Sequence, residues 1–237
     1  PRVQGSPLVP RSPPPSIERH RLARMPDDRA SFWVRWHARY EDPGSDLGER
    51  LEVVQQRLLE AIDRKPGPLR LISVCAGQGR DVVGVLAGHP RSSEVEALLV
   101  ELDDHNVGVA RESVAGAGLD GVDVVRADAS VMGVYRDAVP ADVLLLCGIF
   151  GNVSDEDIRT TVANAPRLCA PGAVVIWTRR RDPPDVTPAI RRWFAQAGFE
   201  ELAFDSPGLG GYAVGTNRLV TDPLDFCPDL RMFSFLE

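Results

Sequence analysis

No stretch of this 237-residue sequence stays apolar long enough to cross a bilayer, and its N-terminus lacks the apolar core of a signal peptide. Those absences predict a cytoplasmic protein with no membrane partner. Cysteine is sparse: the four, at positions 75, 147, 169 and 227, form no CxxC pair and have no histidines at metal-ligand spacing. Neither a metal site nor a disulfide framework is expected. Cys75 and Cys147 lie inside apolar runs, where a thiol serves as a small buried hydrophobe. Positive charge is also scarce. The first 24 residues carry five Arg and one Glu, leaving 22 basic against 33 acidic residues from Met25 onward, so the body stands near -11 within a net charge of -7. Such a surface repels phosphate backbones, which makes nucleic acid a poor default partner.

With 43% hydrophobic and 26% charged residues, the length suits one substantial α/β domain plus a helical segment. Residues 1–24 are rich in proline and poor in core-building side chains, which predicts a disordered leader. Leu8 to Ser12 also resembles a thrombin site left by an expression vector, and Met25 would be a natural start. Residues 25–66 read as an N-terminal helical cap of two helices, broken at Asp42-Pro43-Gly44. The second has Leu47, Leu51, Val54, Leu58 and Ile62 along one face, with Asp46 and Glu49 placed as a capping box.

From residue 67 to 237 the period alternates between strand and helix. Strands are expected at Leu69–Cys75, Val95–Leu102, Val122–Arg126, Asp142–Cys147 and Ala173–Thr178, with helices at Arg80–Leu86 and near 104–117, 129–138, 155–169 and 187–197. That alternation predicts parallel strands joined by right-handed crossovers. Glu200–Phe204 and Tyr212–Val220, joined through the glycine-rich 207–211, predict an antiparallel hairpin at the sheet edge.

The segment Leu71 to Asp81 is a strand entering a glycine turn that opens a helix. Gly77 and Gly79 would let the backbone approach a ligand closely, although any tight strand-to-helix turn uses such glycines. The next strand ends with Glu101, Leu102 and Asp103, about twenty positions after the turn, where a carboxylate can hydrogen-bond a ribose diol.

With these residues the chain resembles the class I S-adenosylmethionine-dependent methyltransferases over most of 69–220. The resemblance implies a Rossmann-like fold with a mostly parallel seven-stranded sheet, and S-adenosyl-L-methionine as cofactor with S-adenosyl-L-homocysteine as product. It carries cofactor contacts onto Ala76, Gly77, Gln78 and Gly79 in the first motif, Glu101 and Leu102 at the ribose position, and Asp128 and Ala129 at the adenine position. Cys147 and Gly148 fall in the fourth-strand motif, and Leu168 to Ala173 resembles the turn before strand five. The pattern departs at Ser73, where an acidic residue is common, at Cys75 in place of the first glycine, and at Ala173. A nicotinamide dehydrogenase is the main rival, but its fingerprint wants a small residue where Val82 stands.

Acceptor contacts are expected beyond the strand ends, from Phe150, Asn152 and Arg179. Asn152 could equally support the helix start at Ser154, and the run Arg179-Arg180-Arg181 could attract an acidic acceptor or form a solvated turn. Trp33, Trp36, His37 and Tyr40 fall on one helical face, which reads either as packing or as a lid over the acceptor. His37 is the candidate general base, because its ordinary pKa lies near neutrality. The expected reaction is methyl transfer to an oxygen or nitrogen of a small organic molecule. RNA or protein methylation and noncatalytic cofactor binding are the alternatives. The acidic body and the lack of an Asn/Asp-Pro-Pro-Tyr/Phe motif argue against RNA.

Overall fold

The structure, a computed structural model, describes residues 45–236. Trp33, Trp36, His37 and Tyr40, together with the expected leader and the first cap helix, lie outside the described residues. Seven strands form one sheet in the order β3-β2-β1-β4-β5-β7-β6. They are β1 Leu69–Val74, β2 Val95–Glu101, β3 Val122–Arg126, β4 Ala141–Leu146, β5 Cys169–Arg180, β6 Phe199–Asp205 and β7 Tyr212–Leu219. The first five pair in parallel, and β7 runs antiparallel to both β5 and β6. Parallel strands buried on both faces need apolar side chains in both directions, and these have them. In β1 and β4, Leu71, Val143 and Leu145 face one core layer, whereas Ile72, Val74, Leu144 and Leu146 face the other.

Five α-helices cover the two faces: α1 Asp46–Arg64, α2 Arg80–Leu86, α3 Asp104–Gly116, α4 Asp155–Asn164 and α5 Thr187–Gln196. Helix α1, the described part of the expected cap, packs on the sheet face against α2, β4, β5 and β7. Its stripe of Val54, Leu58, Ala61 and Ile62 joins the core of Leu71, Val143 and Ile176, so its burial stabilises the sheet layer. The capping-box assignment is corrected. Ser45 is the N-cap and accepts from the Gly48 amide at 3.1 Å, while Asp46 and Glu49 lie in the first turn. A serine hydroxyl satisfies that free amide directly, and the two acids complement the helix dipole.

Two other expectations change. The predicted helix at 129–138 is a single 3₁₀ turn, Met132–Tyr135, anchored by the buried Tyr135 hydroxyl donating to the Ala129 carbonyl at 2.6 Å. Strand β5 begins at Cys169 rather than 173, so the turn before it is shorter than the resemblance implied. In β7, Gly215 stands opposite Trp177, where any Cβ would overlap the indole. That space lets Trp177 lie buried, stacked on Phe194 at 5.8 Å, with Nε1 donating to Asn217 at 2.8 Å. Among the described residues no helix is long and apolar enough to cross a membrane.

Candidate functional site

The order of the parallel strands reverses between β1 and β4, the switch point beyond whose strand ends open α/β sheets bind their ligands. One wall is the turn between β1 and α2. Gly77 and Gly79 have φ of 57° and 68°, and a Cβ on Gly79 would come within 2.8 Å of Leu99. Both positions therefore need glycine. Cys75 takes φ 55°, the left-handed conformation of the glycine it replaces in the motif. The Ala76 amide donates to the Val100 carbonyl at 2.9 Å and ties the turn to β2.

Glu101 closes the lower edge. One carboxylate oxygen accepts from the Gly77 amide at 2.8 Å, and the other from the Leu102 and Asp103 amides at 2.9 Å each. The carboxylate is thus fixed at the mouth of the glycine turn, with one lone-pair site, on the oxygen that Gly77 engages, left over for a further donor. Beside it Leu102 is 56% exposed, an apolar surface next to a fixed carboxylate. Gln78 is buried and bonds to Arg80 and Asn106, so its side chain braces the turn against α3.

Asp128 stands at the end of β3. Its Oδ1 accepts from the Ser130 hydroxyl at 2.6 Å and amide at 3.0 Å, and its Oδ2 from Arg231 at 3.0 Å. Partial burial alone would raise its pKa, but the hydrogen bonds from Ser130 and Arg231 outweigh that and hold it below the usual carboxylate value. Between the two acids, burial and then the charges of Glu101 and Asp128 push the Cys75 thiol far above its ordinary range. The turn, Glu101 and Asp128 stand at the adjacent C-terminal ends of β1, β2 and β3, tied by the Gly77 amide to Glu101 and by the Ala127 amide to the Glu101 carbonyl at 3.0 Å, and Ala129 beyond them is buried.

The opposite wall is the loop after β4. Gly148 has φ 81° and donates its amide to the Thr178 hydroxyl of β5 at 2.9 Å. Cys147 is half-buried against β5, and desolvation, with the nearby Asp81 charge, raises its pKa. Asn152 donates from its side chain to the Gly148 carbonyl at 2.8 Å, and its own carbonyl accepts from Leu236 at 2.9 Å, so it holds the loop and the tail. Phe150 is fully buried, with its ring 6.1 Å from Trp177, in the core beneath the loop. Arg179, at the end of β5, extends toward this loop, its Nη1 3.5 Å from where a Cβ on Gly151 would stand.

Two functional candidates escaped the sequence. Asp81, buried at the start of α2, accepts from the Val82 amide at 2.8 Å, and burial raises its pKa. An acid immediately behind a glycine turn was the available signal. Arg231 belongs to a tail that runs across the ends of β3 and β4, with bridges Val131–Arg231 and Val153–Phe235. No local pattern announced that long-range contact.

No family model matches the chain, and no curated protein matches it either. Solved structures do. A magnesium protoporphyrin IX methyltransferase from Synechocystis PCC 6803 with bound S-adenosylmethionine aligns at TM-score 0.62 and 12% identity, over 80% of this chain and 91% of that one. An O-methyltransferase family protein from Burkholderia thailandensis aligns at TM-score 0.58 and 18% identity, over 72% of this chain and 55% of that one, so here the chain spans about half the relative's length. A glycopeptide N-methyltransferase complexed with S-adenosylmethionine aligns at TM-score 0.51 and 13% identity, over 69% and 92%. With its sheet order, its antiparallel β7 and these likenesses, the chain has the Rossmann-like fold of the class I S-adenosylmethionine-dependent methyltransferases.

Proposed function

We propose that the protein is an S-adenosylmethionine-dependent methyltransferase acting on an oxygen or nitrogen of a small organic molecule. The observation that carries this reading is the adjacency of the glycine turn, the amide-fixed Glu101 and Asp128 at the ends of β1, β2 and β3. These residues fit the cofactor. Gly77 and Gly79 give the turn the left-handed backbone beside which the methionine part would lie, the one lone-pair site left on Glu101 suits a ribose hydroxyl, and exposed Leu102 offers an apolar face to adenine. Ala76, Ala129, Cys147 and Gly148 complete the proposed wall, and Asp128 the adenine edge. When bound, the cofactor supplies a methyl group on a cationic sulfonium that is already activated toward a nucleophile. The chain's own task is then to align the acceptor and exclude water.

Acceptor contacts are assigned to Asn152 and Arg179, and to Trp33, Trp36 and Tyr40, with His37 as the general base if the acceptor needs one. Relatives that methylate through oxygen, nitrogen or carbon share this fold, so the acceptor atom is a separate question. Buried Val82 speaks against a nicotinamide cofactor, whose pyrophosphate-binding turn requires a small residue there. Calorimetry with S-adenosylmethionine, S-adenosylhomocysteine and NAD tests the reading. Binding of NAD alone would overturn it. A labelled-cofactor assay on fractionated metabolite extract, against fractions of RNA and protein, then identifies the acceptor class.

A further inference from the structure

We infer that Arg179 recognises a carboxylate on the methyl acceptor; this rests on the methyltransferase reading and names the substrate class of the same site. The three consecutive arginines at the end of β5 are not equivalent. Arg180 donates to Asp182 at 2.8 Å, to Asp46 at 3.1 Å and to the Gly210 carbonyl at 2.8 Å. Arg181 is held by Asp185 at 2.9 and 3.0 Å and by the Ser206 hydroxyl at 3.2 Å. Arg179 has no ion pair or hydrogen bond among the described residues, and its Nε is buried without a partner.

A charged donor left in that condition carries a desolvation cost that a ligand acceptor would relieve. No hydrogen bond has to break for the guanidinium to turn toward an anion.

Its direction is set by the strand. Arg179 follows Trp177 by two residues and shares its face of the sheet, so it rises from the buried aromatic layer of Trp177 and Phe150 to the rim at the strand ends. There Nη1 lies over Gly151, which has no side chain to block it, beside the loop that carries Gly148 and Asn152.

The pairing pattern selects the ligand. Asp46, Asp182 and Asp185 pair with Arg180 and Arg181, so Arg179 is the one guanidinium of the three without an ion pair among the described residues. A guanidinium matches the two oxygens of a planar carboxylate, and a single positive charge matches a monoanion better than a phosphate dianion.

The test follows the arginine Nε–H resonances of the full chain in ¹⁵N NMR, with S-adenosylhomocysteine present, during titration with benzoate, benzamide and phenyl phosphate. Arg179→Gln assigns its resonance, and Arg180→Gln is the control. We expect benzoate to shift the Arg179 signal saturably, benzamide to leave it unmoved, and Arg179→Gln to weaken benzoate about tenfold or more while Arg180→Gln does not. No benzoate response, an equal response to benzamide, or a response to phenyl phosphate alone overturns the inference. Calorimetry of S-adenosylhomocysteine on the same sample separates the two levels. Normal cofactor binding without a benzoate response sinks only the carboxylate assignment, whereas absent cofactor binding sinks the methyltransferase reading beneath it.

Discussion

Two acidic residues stand at neighbouring strand ends and are held in different ways. Glu101 is gripped by three backbone amides, one from the glycine turn and two from the residues that follow it. Asp128 is gripped by one backbone amide, that of Ser130, and by two side chains, the Ser130 hydroxyl and Arg231 in the tail 103 positions away. Backbone donors cannot rotate away once the fold has formed, so Glu101 is preorganised by the sheet itself. The hold on Asp128 rests in part on a half-exposed ion pair and on the tail remaining docked.

The largest difference should appear in cofactor affinity. Glu101→Ala should weaken S-adenosylhomocysteine by roughly tenfold to a hundredfold, since it removes charge-assisted hydrogen bonds and leaves three amides without their acceptor. Asp128→Ala should cost less. Calorimetry on both variants decides, and an Asp128→Ala loss equal to that of Glu101→Ala would break the comparison.

Arg231→Ala comes next. Both partners of the Arg231–Asp128 pair are about half exposed, at 54% and 44%, so solvent screening limits its worth to at most about 1 kcal/mol. Melting should fall by less than about 4 °C at low salt, and the gap from the parent protein should close at high salt. Limited proteolysis should meanwhile release the tail sooner in the variant.

Acid titration sharpens the same contrast. The folded pKa of Asp128 lies below its ordinary 3.8, so its contribution is complete above that value and is lost as pH falls through the folded value. Asp185 shifts the same way, so the signal is the difference between the parent and Asp128→Asn. Asp81 works oppositely: burial raises its pKa, and stability declines as pH climbs from 3.8 through the folded value. Denaturant midpoints measured between about pH 3 and pH 7 should therefore slope less upward in Asp128→Asn and less downward in Asp81→Asn.

The smallest effect concerns the backbone beneath Glu101. Cys75 holds φ 55°, a conformation that costs a side-chain-bearing residue about 1–2 kcal/mol, partly offset in glycine by its greater unfolded-state freedom. Cys75→Gly should melt about 1–3 °C higher than Cys75→Ala, which keeps the strain. Equal melting would remove strain from the account of this turn.

The residues that were legible in the sequence share a physical trait. Strand alternation, the glycine turn and Glu101 all rest on contacts fixed by local geometry or by one crossover, and such features leave a period or a spacing behind. Asp128 is singled out by the family resemblance, but its partner Arg231 lies in a tail with no periodicity. The burial of Phe150 in the core leaves no mark in the local sequence, which shows only an aromatic residue among small ones. Residues 132–135 form a 3₁₀ turn where the spacing predicts a helix, because apolar spacing does not report that Tyr135 is pinned to Ala129. The cap moved from Asp46 to Ser45 by a single position, within the usual uncertainty of a helix end.

The space above Gly215 also gives the protein an optical property. Trp177 is sealed from solvent, hydrogen-bonded through its indole nitrogen and stacked on Phe194, so its emission should be blue-shifted and insensitive to added quenchers. It lies two residues before Arg179 on the same strand face, and any anion drawn to that guanidinium changes the electric field across the indole. The rim at Arg179 thus carries its own fluorophore, and arrival of an anion there can be followed without a label.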